Sequence, residues 1–280
     1  MTAQRRAGAA VVALTMLTAC SPADPTDPAD VPPGTSTGGH DTGTETDPRP
    51  VEPSRADASP LAGTVVVVDA GHQLGNTNFP AQVNAAVQAG GFTKPCNTTG
   101  TQTDDGFAEA TFNFRVADRL RERLTGLGSR VIMTRTSNRY DRWGPCVDER
   151  GTRGNRIEAD LRISIHGDGS FTDGQGFHVI TPTDRAPWTD DIYAGSRRLA
   201  LEVASGLLTT GFDASDYVAG GTGIEYRADL ATLNLSDIPA VVVECGNMRN
   251  RQEAAVMSTT KGQARYAAGM LRGIRAFLDR

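Results

Sequence analysis

The sequence has few of the residues that mark several common classes of protein. Only four histidines, four cysteines and two tryptophans occur among 280 residues, and aromatic residues make up 6% of the chain. The most apolar stretch, residues 7–17, is too short to cross a bilayer as a mature helix. With 28 basic and 33 acidic side chains, the chain also lacks the basic excess that binding to a nucleic-acid backbone requires. A spanning helix and a nucleic-acid partner are therefore not expected.

The first twenty residues have the layout of a secretory signal. Arg5 and Arg6 give a positive start, and the apolar stretch follows directly. The signal ends in the tetrapeptide Leu-Thr-Ala-Cys, whose last residue is Cys20. This ending resembles a bacterial lipobox, in which cleavage leaves the cysteine as the new N-terminus and lipid is attached to its thiol. We expect an exported protein anchored through Cys20 to the outer face of the cytoplasmic membrane. A plain secretory signal with an incidental cysteine is the alternative.

Residues 21–60 have the composition of a disordered tether. They contain nine of the 15 prolines and scarcely any large apolar side chain, so they cannot bury enough surface to offset the entropy of ordering. Eight acidic and two basic residues give this segment a net charge of −6. The predicted folded domain, residues 61–280, has 25 acidic and 24 basic residues. The acidic balance of the chain therefore belongs mainly to the tether.

Short, continuous apolar runs in the domain predict central strands that are buried on both faces. Each of three runs is followed by an ionisable side chain with a glycine nearby: residues 65–68, 161–165 and 241–243. Residues 130–133 resemble a fourth strand. Helical spacing of apolar residues appears in 107–127, after Ser196 and in the last twenty residues. Alternating strands and helices predict a single α/β domain, with a mostly parallel twisted sheet and helices on both faces.

Ionisable side chains at the carboxyl ends of these strands predict a site, because ligands bind at that edge of a parallel sheet. His72 and His166 both follow predicted strands, and Glu109 lies in the first turn of the helix predicted over 107–127. Two imidazoles and one carboxylate form a three-ligand zinc site with an open position for water. Glu244 would then be an unligated carboxylate close to that open position.

Simpler interpretations apply to each residue taken alone. A single histidine after a strand is more often structural, and Glu109 could simply complement the helix dipole. Glu244 is harder to explain in that way, because a carboxylate that ends a run of three valines is costly to bury without a partner. Asp69 is expected to orient His72 or to accept hydrogen bonds from the turn's backbone amides. His178 lies in an alternating strand pattern and is expected to be structural.

Several motifs, taken in order, resemble the zinc-dependent N-acetylmuramoyl-L-alanine amidases of the autolysin type over residues 63–278. The motifs are Val-Val-Asp-Ala-Gly-His, Glu109 at the start of a helix, a Thr-Arg that ends a strand, Arg150 through Asn155, Ser-Ile-His, and Pro-Ala-Val-Val-Val-Glu-Cys-Gly-Asn-Met-Arg-Asn. The Leu-Asn-Leu at residues 233–235, before the final strand, is similar to the tripeptide that the actinobacterial branch of this family has there.

The resemblance implies that His72, Glu109 and His166 bind one zinc ion and that Glu244 is the catalytic carboxylate. It also implies hydrolysis of the amide bond between the lactyl group of N-acetylmuramic acid and L-alanine, in peptidoglycan or muropeptide fragments. A monomer is expected. Another zinc peptidase of the envelope, or a non-catalytic wall-binding lipoprotein, remains an alternative function.

Departures from the family pattern leave the ligands unchanged and bear on substrate preference. Asp-Ala-Gly-His-Gln stands where Asp-Pro-Gly-His-Gly is commoner, Gly-Asp-Gly follows Ser-Ile-His, and the segment 75–105 is long. No separate wall-binding module is expected. Some family members carry a helical insertion that blocks zinc, but the stretch from His166 to Ser196 has no helical period long enough for one. An open site that is active without an activator is therefore expected.

Three cysteines of the domain, Cys96, Cys146 and Cys245, allow three pairings, and export permits a disulfide. Cys245 directly follows a strand that looks buried. Cys96 and Cys146 lie in polar segments that contain glycine and proline. This difference favours a disulfide between Cys96 and Cys146.

Overall fold

The apolar runs form the strands at the centre of the sheet. The structure is a computed structural model that describes residues 59–170 and 173–279. Within those residues the strands are β1 (Val65–Ala70), β2 (Ala86–Gln88), β3 (Thr93–Pro95), β4 (Arg130–Met133), β5 (Leu161–Asp168), β6 (His178–Pro182), β7 (Ile224–Arg227) and β8 (Ala240–Asn247). The α-helices are α1 (Pro80–Val83), α2 (Glu109–Gly126), α3 (Val147–Thr152), α4 (Tyr193–Thr209), α5 (Ala231–Asn234), α6 (Arg251–Met257) and α7 (Thr260–Leu278).

Six strands form the main sheet in the order β4-β1-β5-β8-β6-β7, and β2 and β3 form a separate antiparallel hairpin. The first four strands of that order run parallel to one another. β6 runs antiparallel to β8, and β7 runs parallel to β6. The predicted fold class, a mostly parallel sheet in one α/β domain, is therefore confirmed.

Helices cover the two faces of the sheet unequally. The main hydrophobic core lies between the sheet and the three long helices α2, α4 and α7. α4 and α7 approach each other closely at glycines, and a Cβ added at Gly206 would lie 2.2 Å from the carbonyl oxygen of Gly269. The opposite face carries a smaller apolar cluster under the short helix α5, where Leu233 packs with Ile180 and Val242. Functional side chains project from this second face.

The register of β5, β8 and β6 places three titratable side chains in one row. His166 on β5 is the Cα partner of Glu244 on β8, and Glu244 is in turn the Cα partner of His178 on β6. Their neighbours Ile165, Val243 and Val179 belong to the main core. Because side chains alternate along a strand, the row lies on the opposite face, at the carboxyl end of β5 and β8.

The long helix α2 begins beside this edge of the sheet. The backbone N–H of Glu109, its first residue, donates to the carbonyl of Thr101. The helix ends where Gly128 adopts a left-handed conformation (φ +93°) and the N–H of Ser129 donates to the carbonyl of Leu124. Glu109 is consequently held in the first turn, as the sequence predicts.

Within the described ranges, no helix is long and apolar enough to span a bilayer. The predicted signal, Cys20 and the tether as far as residue 58 lie outside the described residues.

Candidate metal centre and active site

Two histidines and one glutamate converge at the carboxyl edge of the sheet. The Oε1 atom of Glu109 lies 3.2 Å from Nε2 of His72 and 3.0 Å from Nδ1 of His166. The three ligand atoms all lie within 4.8 Å of one another, and the two imidazole rings are nearly perpendicular. The structure thus brings together the three side chains that the sequence predicts as metal ligands.

The turn after β1 presents His72 in an uncommon backbone conformation. Its φ of +56° is left-handed, which costs a non-glycine residue about 1–2 kcal/mol. A Cβ on the preceding Gly71 would lie 2.3 Å from Cε1 of His166, so only glycine fits between the two histidines. Buried Arg150 donates to the carbonyl of His72 (2.8 Å), and buried Arg135 donates to that of Gly71 (3.1 Å). These contacts hold the turn in place.

The second ring nitrogen of His72 is engaged outside the cluster. Its Nδ1 lies 3.1 Å from the carbonyl oxygen of Thr98 and 3.2 Å from the hydroxyl of the same residue. A carbonyl can only accept, so Nδ1 carries a proton, and Nε2 is the ring nitrogen that faces the cluster. This arrangement orients His72 as a ligand.

Glu109 is buried and fixed by several donors. Its Oε2 accepts from the N–H of Thr101 (2.9 Å), and its Oε1 accepts from Asn113 (3.1 Å) and from the N–H of Gly167 (3.2 Å). Burial alone would raise the pKa of Glu109, but the charge of His72 and hydrogen bonds from both histidines hold that pKa well below its ordinary value. Glu109 is therefore an ionised carboxylate, which is the form that binds a cation.

Asp69 supports the turn through an arginine instead of through a histidine. Its Oδ1 lies 2.5 Å from Nη1 of Arg150, and it accepts from the hydroxyls of Thr134 and Ser164. Burial opposes ionisation, but Arg150 and the two hydroxyls hold the pKa of Asp69 well below its ordinary value. The expectation that Asp69 bonds His72 or the backbone amides is wrong, because its carboxylate accepts from Arg150, Thr134 and Ser164 instead.

Glu244 lies beside the cluster with one carboxylate oxygen unpartnered among the described residues. That oxygen, Oε2, is buried. Burial, together with the nearby charges of Glu109 and Asp168, raises the pKa of Glu244 well above its ordinary value. A carboxyl group in this setting can exchange a proton instead of remaining permanently ionised.

His178 is separate from the His/Glu/His cluster. It is buried on β6, and its Nε2 lies 3.5 Å from Oε2 of Glu225. Burial lowers the pKa of His178 below its ordinary value. Close by, the hydroxyl of Tyr217 donates to Oδ2 of Asp168 (2.7 Å). Tyr217 belongs to none of the sequence motifs, and only the folded chain brings it beside Asp168 and His178.

A disulfide joins Cys96 to Cys146, as the sequence predicts, and Cys245 is buried and free. Cys96 follows the hairpin strand β3, and Cys146 directly precedes α3. The N–H of Val147 also donates to the carbonyl of Cys96 (2.7 Å). Since α3 carries Arg150, the bridge ties the long segment 75–105 to the support of the His72 turn.

Comparison with known proteins shows which family has this sequence pattern and fold. The profile of Amidase_3, N-acetylmuramoyl-L-alanine amidase, matches residues 66–276. The chain belongs to this family. It is 38% identical over 229 residues to the N-acetylmuramoyl-L-alanine amidase Rv3717 of Mycobacterium tuberculosis, a match that covers 80% of this chain and 91% of the relative.

Solved amidase structures show the same fold. Ami1 from Mycobacterium smegmatis matches with a TM-score of 0.72 and 37% identity, over 78% of this chain and 98% of that one. The apo form of Ami1 from Mycobacterium abscessus matches with a TM-score of 0.72 and 38% identity, over 78% of this chain and 100% of that one. Their similarity supports the assignment of this chain to the actinobacterial branch of the family. The amidase is thus a peptidoglycan hydrolase, and the alternative functions are not favoured.

Proposed function

We propose that the amidase binds one Zn²⁺ between His72, Glu109 and His166 and uses Glu244 as its proton-transfer group. The supporting observation is the convergence of two imidazole nitrogens and one ionised carboxylate, the donor set of catalytic zinc sites. The hydrogen bond that orients His72 through its other nitrogen fits the same role. Zinc, when bound, supplies a Lewis acid that lowers the pKa of water and polarises the scissile carbonyl.

Glu244 is placed to move the proton. As a carboxylate it accepts a proton from the attacking water, and as a carboxylic acid it donates that proton to the departing nitrogen of L-alanine. The bond broken is the amide between the lactyl group and L-alanine, which leaves a lactyl carboxylate and a peptide with a free amino group. Its buried position on a central strand keeps the group fixed and raises its pKa, which suits the acid half of the cycle.

The envelope is the proposed place of action. Cys20 would carry the lipid that keeps a monomeric amidase at the outer face of the cytoplasmic membrane, within reach of peptidoglycan or its fragments. Between His166 and α4, the described residues form the end of β5, β6 and turns, with no helix that could act as a plug. This supports activity without an activator.

Removal of ligands tests the metal assignment. His72→Ala and His166→Ala should lose zinc and activity together, because two protein ligands cannot hold the ion, and Glu109→Ala should weaken both. Zinc is measured by atomic absorption, and activity by mass spectrometry of muropeptides with and without a chelator. His178→Ala, outside the cluster, should keep its zinc. Full zinc content in either ligand-histidine variant would contradict the proposal.

A further inference from the structure

The cleft beside the metal ligands continues along the face of the sheet to two basic side chains. Its volume is about 260 Å³, and its lining includes His72, His166 and Glu244 as well as Lys94 and Arg227. His178, the partner of Glu244, lies four residues before Pro182, the partner of Arg227. At about 3.3 Å per residue along a strand and about 4.8 Å between strands, the backbone of Arg227 on β7 is about 13 Å along and about 10 Å across the sheet from Glu244 on β8, or about 16 Å in all.

An apolar floor joins the two ends of the cleft. Ile180, Val242 and Leu230 line it from the sheet and from the residues before α5, and Pro95 of β3 lines it near Lys94. An apolar channel with a few convergent polar groups is the usual form of a specific ligand site. Because the cleft begins beside Glu244, a substrate that is cleaved next to Glu244 can extend along the cleft.

At the basic end of the cleft, Lys94 and Arg227 contact the same acidic side chain. Nε and Nη2 of Arg227 lie 2.7 and 2.8 Å from the carboxylate of Asp229, and Nζ of Lys94 lies 3.5 Å from the same carboxylate. Two cations thus share one aspartate. The other nearby acid, Glu225, lies 3.7 Å from Nη1 of Arg227, a longer contact than those that Arg227 makes to Asp229. Both cationic side chains remain about one third exposed, so an arriving anion can contact them.

We propose that Lys94 and Arg227 form a subsite for a carboxylate of the stem peptide. The proposal rests on the proposed function, because it takes the metal ligands and Glu244 as the point of cleavage. An extended peptide advances about 3.5 Å per residue, and the arginine side chain shortens the remaining gap, so the second or third residue of the stem reaches the subsite. The lactyl carboxyl is consumed in the scissile amide, so a carboxylate at this distance belongs to the peptide.

Paired substrates test the subsite. The zinc-loaded protein is assayed on N-acetylmuramoyl-L-alanyl-D-glutamate and on its diamide, which lacks carboxylates. The wild type should prefer the acid, and Lys94→Met and Arg227→Gln should each lower the ratio of kcat/KM for acid over diamide about tenfold, mainly through KM, because each removes a charge-assisted hydrogen bond. Arg156→Gln, an exposed arginine that does not line this cleft, is the matched control and should keep the wild-type ratio.

Two further variants separate charge recognition from damage to the fold. Asp229→Asn removes the carboxylate that competes with the substrate, so it should raise the ratio of kcat/KM for acid over diamide. If the pairs with Asp229 were merely structural, this ratio would not rise. Arg227→Lys should restore part of the preference that Arg227→Gln loses. Equal kcat/KM for acid and diamide in the wild type, or ratios unchanged in both Lys94→Met and Arg227→Gln, would overturn the subsite.

Binding of a product distinguishes failure of the subsite from failure of the proposed function. L-alanyl-D-glutamate is titrated calorimetrically into the zinc-loaded wild type and into Arg227→Gln. Binding that is about tenfold weaker or more in the variant supports the subsite, even if neither substrate is turned over. The lack of turnover would by itself contradict the proposed function. Equal binding to both proteins would count against the subsite whatever the turnover.

Discussion

The single residues that shape this site most are two buried arginines rather than its ligands. Arg135 donates to the carbonyls of Ala70 and Gly71, and Arg150 donates to those of Ala70 and His72. Together they satisfy the backbone of a turn whose left-handed residue is a metal-ligand candidate. An arginine in a sequence is usually a surface residue. The motifs include both arginines but do not indicate that their side chains point inward.

We expect Asp69→Asn to destabilise the protein in a pH-dependent way. The pKa of Asp69 is held below its ordinary value of 3.8 in the folded state, so its ion pair with Arg150 stabilises the fold fully above that value and less as the pH falls through and below it. Loss of one partner of a buried pair costs about 3–5 kcal/mol near pH 7.

Urea unfolding at pH 7 and at pH 3 measures this effect. The difference in free energy of unfolding between wild type and Asp69→Asn should narrow at the lower pH. Asp118→Asn, which disrupts the half-exposed pair with Arg121, is the control and should change stability by less than about 1 kcal/mol. An equal loss at both pH values would show that the charge of Asp69 is not the stabilising feature.

At the level of helices and strands, the sequence predicts the parallel centre of the sheet and a strand at His178, but not the antiparallel direction of that strand or the neighbouring β7. β1 and β8 contain continuous apolar runs, β5 alternates apolar with polar residues, and the ionisable residue after each of these segments locates the site. β7 is only partly buried and β3 is three residues of mixed burial, so neither has a periodic signal. Lys94 and Arg227 lie on these two strands, which is why their proximity could not be read from the sequence.

The disulfide between Cys96 and Cys146 links two elements and has a measurable effect on stability. It closes a loop of 50 residues, for which the chain-entropy model gives a stabilisation of about 4 kcal/mol. Changing both Cys96 and Cys146 to Ser should lower the melting temperature, and reductant should lower it for the wild type but not for the double variant. If reductant leaves the melting temperature of the wild type unchanged, the disulfide does not stabilise the fold in this way.

Anchoring concerns the molecule as a whole. The lipobox-like ending at Cys20 predicts that the protein fractionates with membranes and that Cys20→Ser releases it, because one thiol carries the lipid. Western blots of membrane and soluble fractions from cells that express each form measure this. Cys245→Ser, whose thiol is buried in the core, is the control and should stay with the membranes. A wild type found only in the soluble fraction would show that the N-terminus is a plain secretory signal.

The central claim for the whole enzyme is that metal binding and proton transfer belong to different carboxylates. Glu109 contacts both histidines, whereas Glu244 lies beside them with an unpartnered oxygen. Glu244→Gln keeps the shape of the side chain but cannot accept a proton. The most direct measurement is therefore zinc content and muropeptide turnover on the same preparation of Glu244→Gln.

Zinc in Glu244→Gln should stay near one per chain, while release of peptides with a free N-terminal L-alanine falls by about 10²–10⁴. Glu109→Ala, prepared in parallel, should instead lose zinc and activity together. If Glu244→Gln loses its zinc while Glu109→Ala keeps it, the two carboxylates have the opposite roles. If Glu244→Gln is fully active, the mechanism proposed for this amidase is wrong.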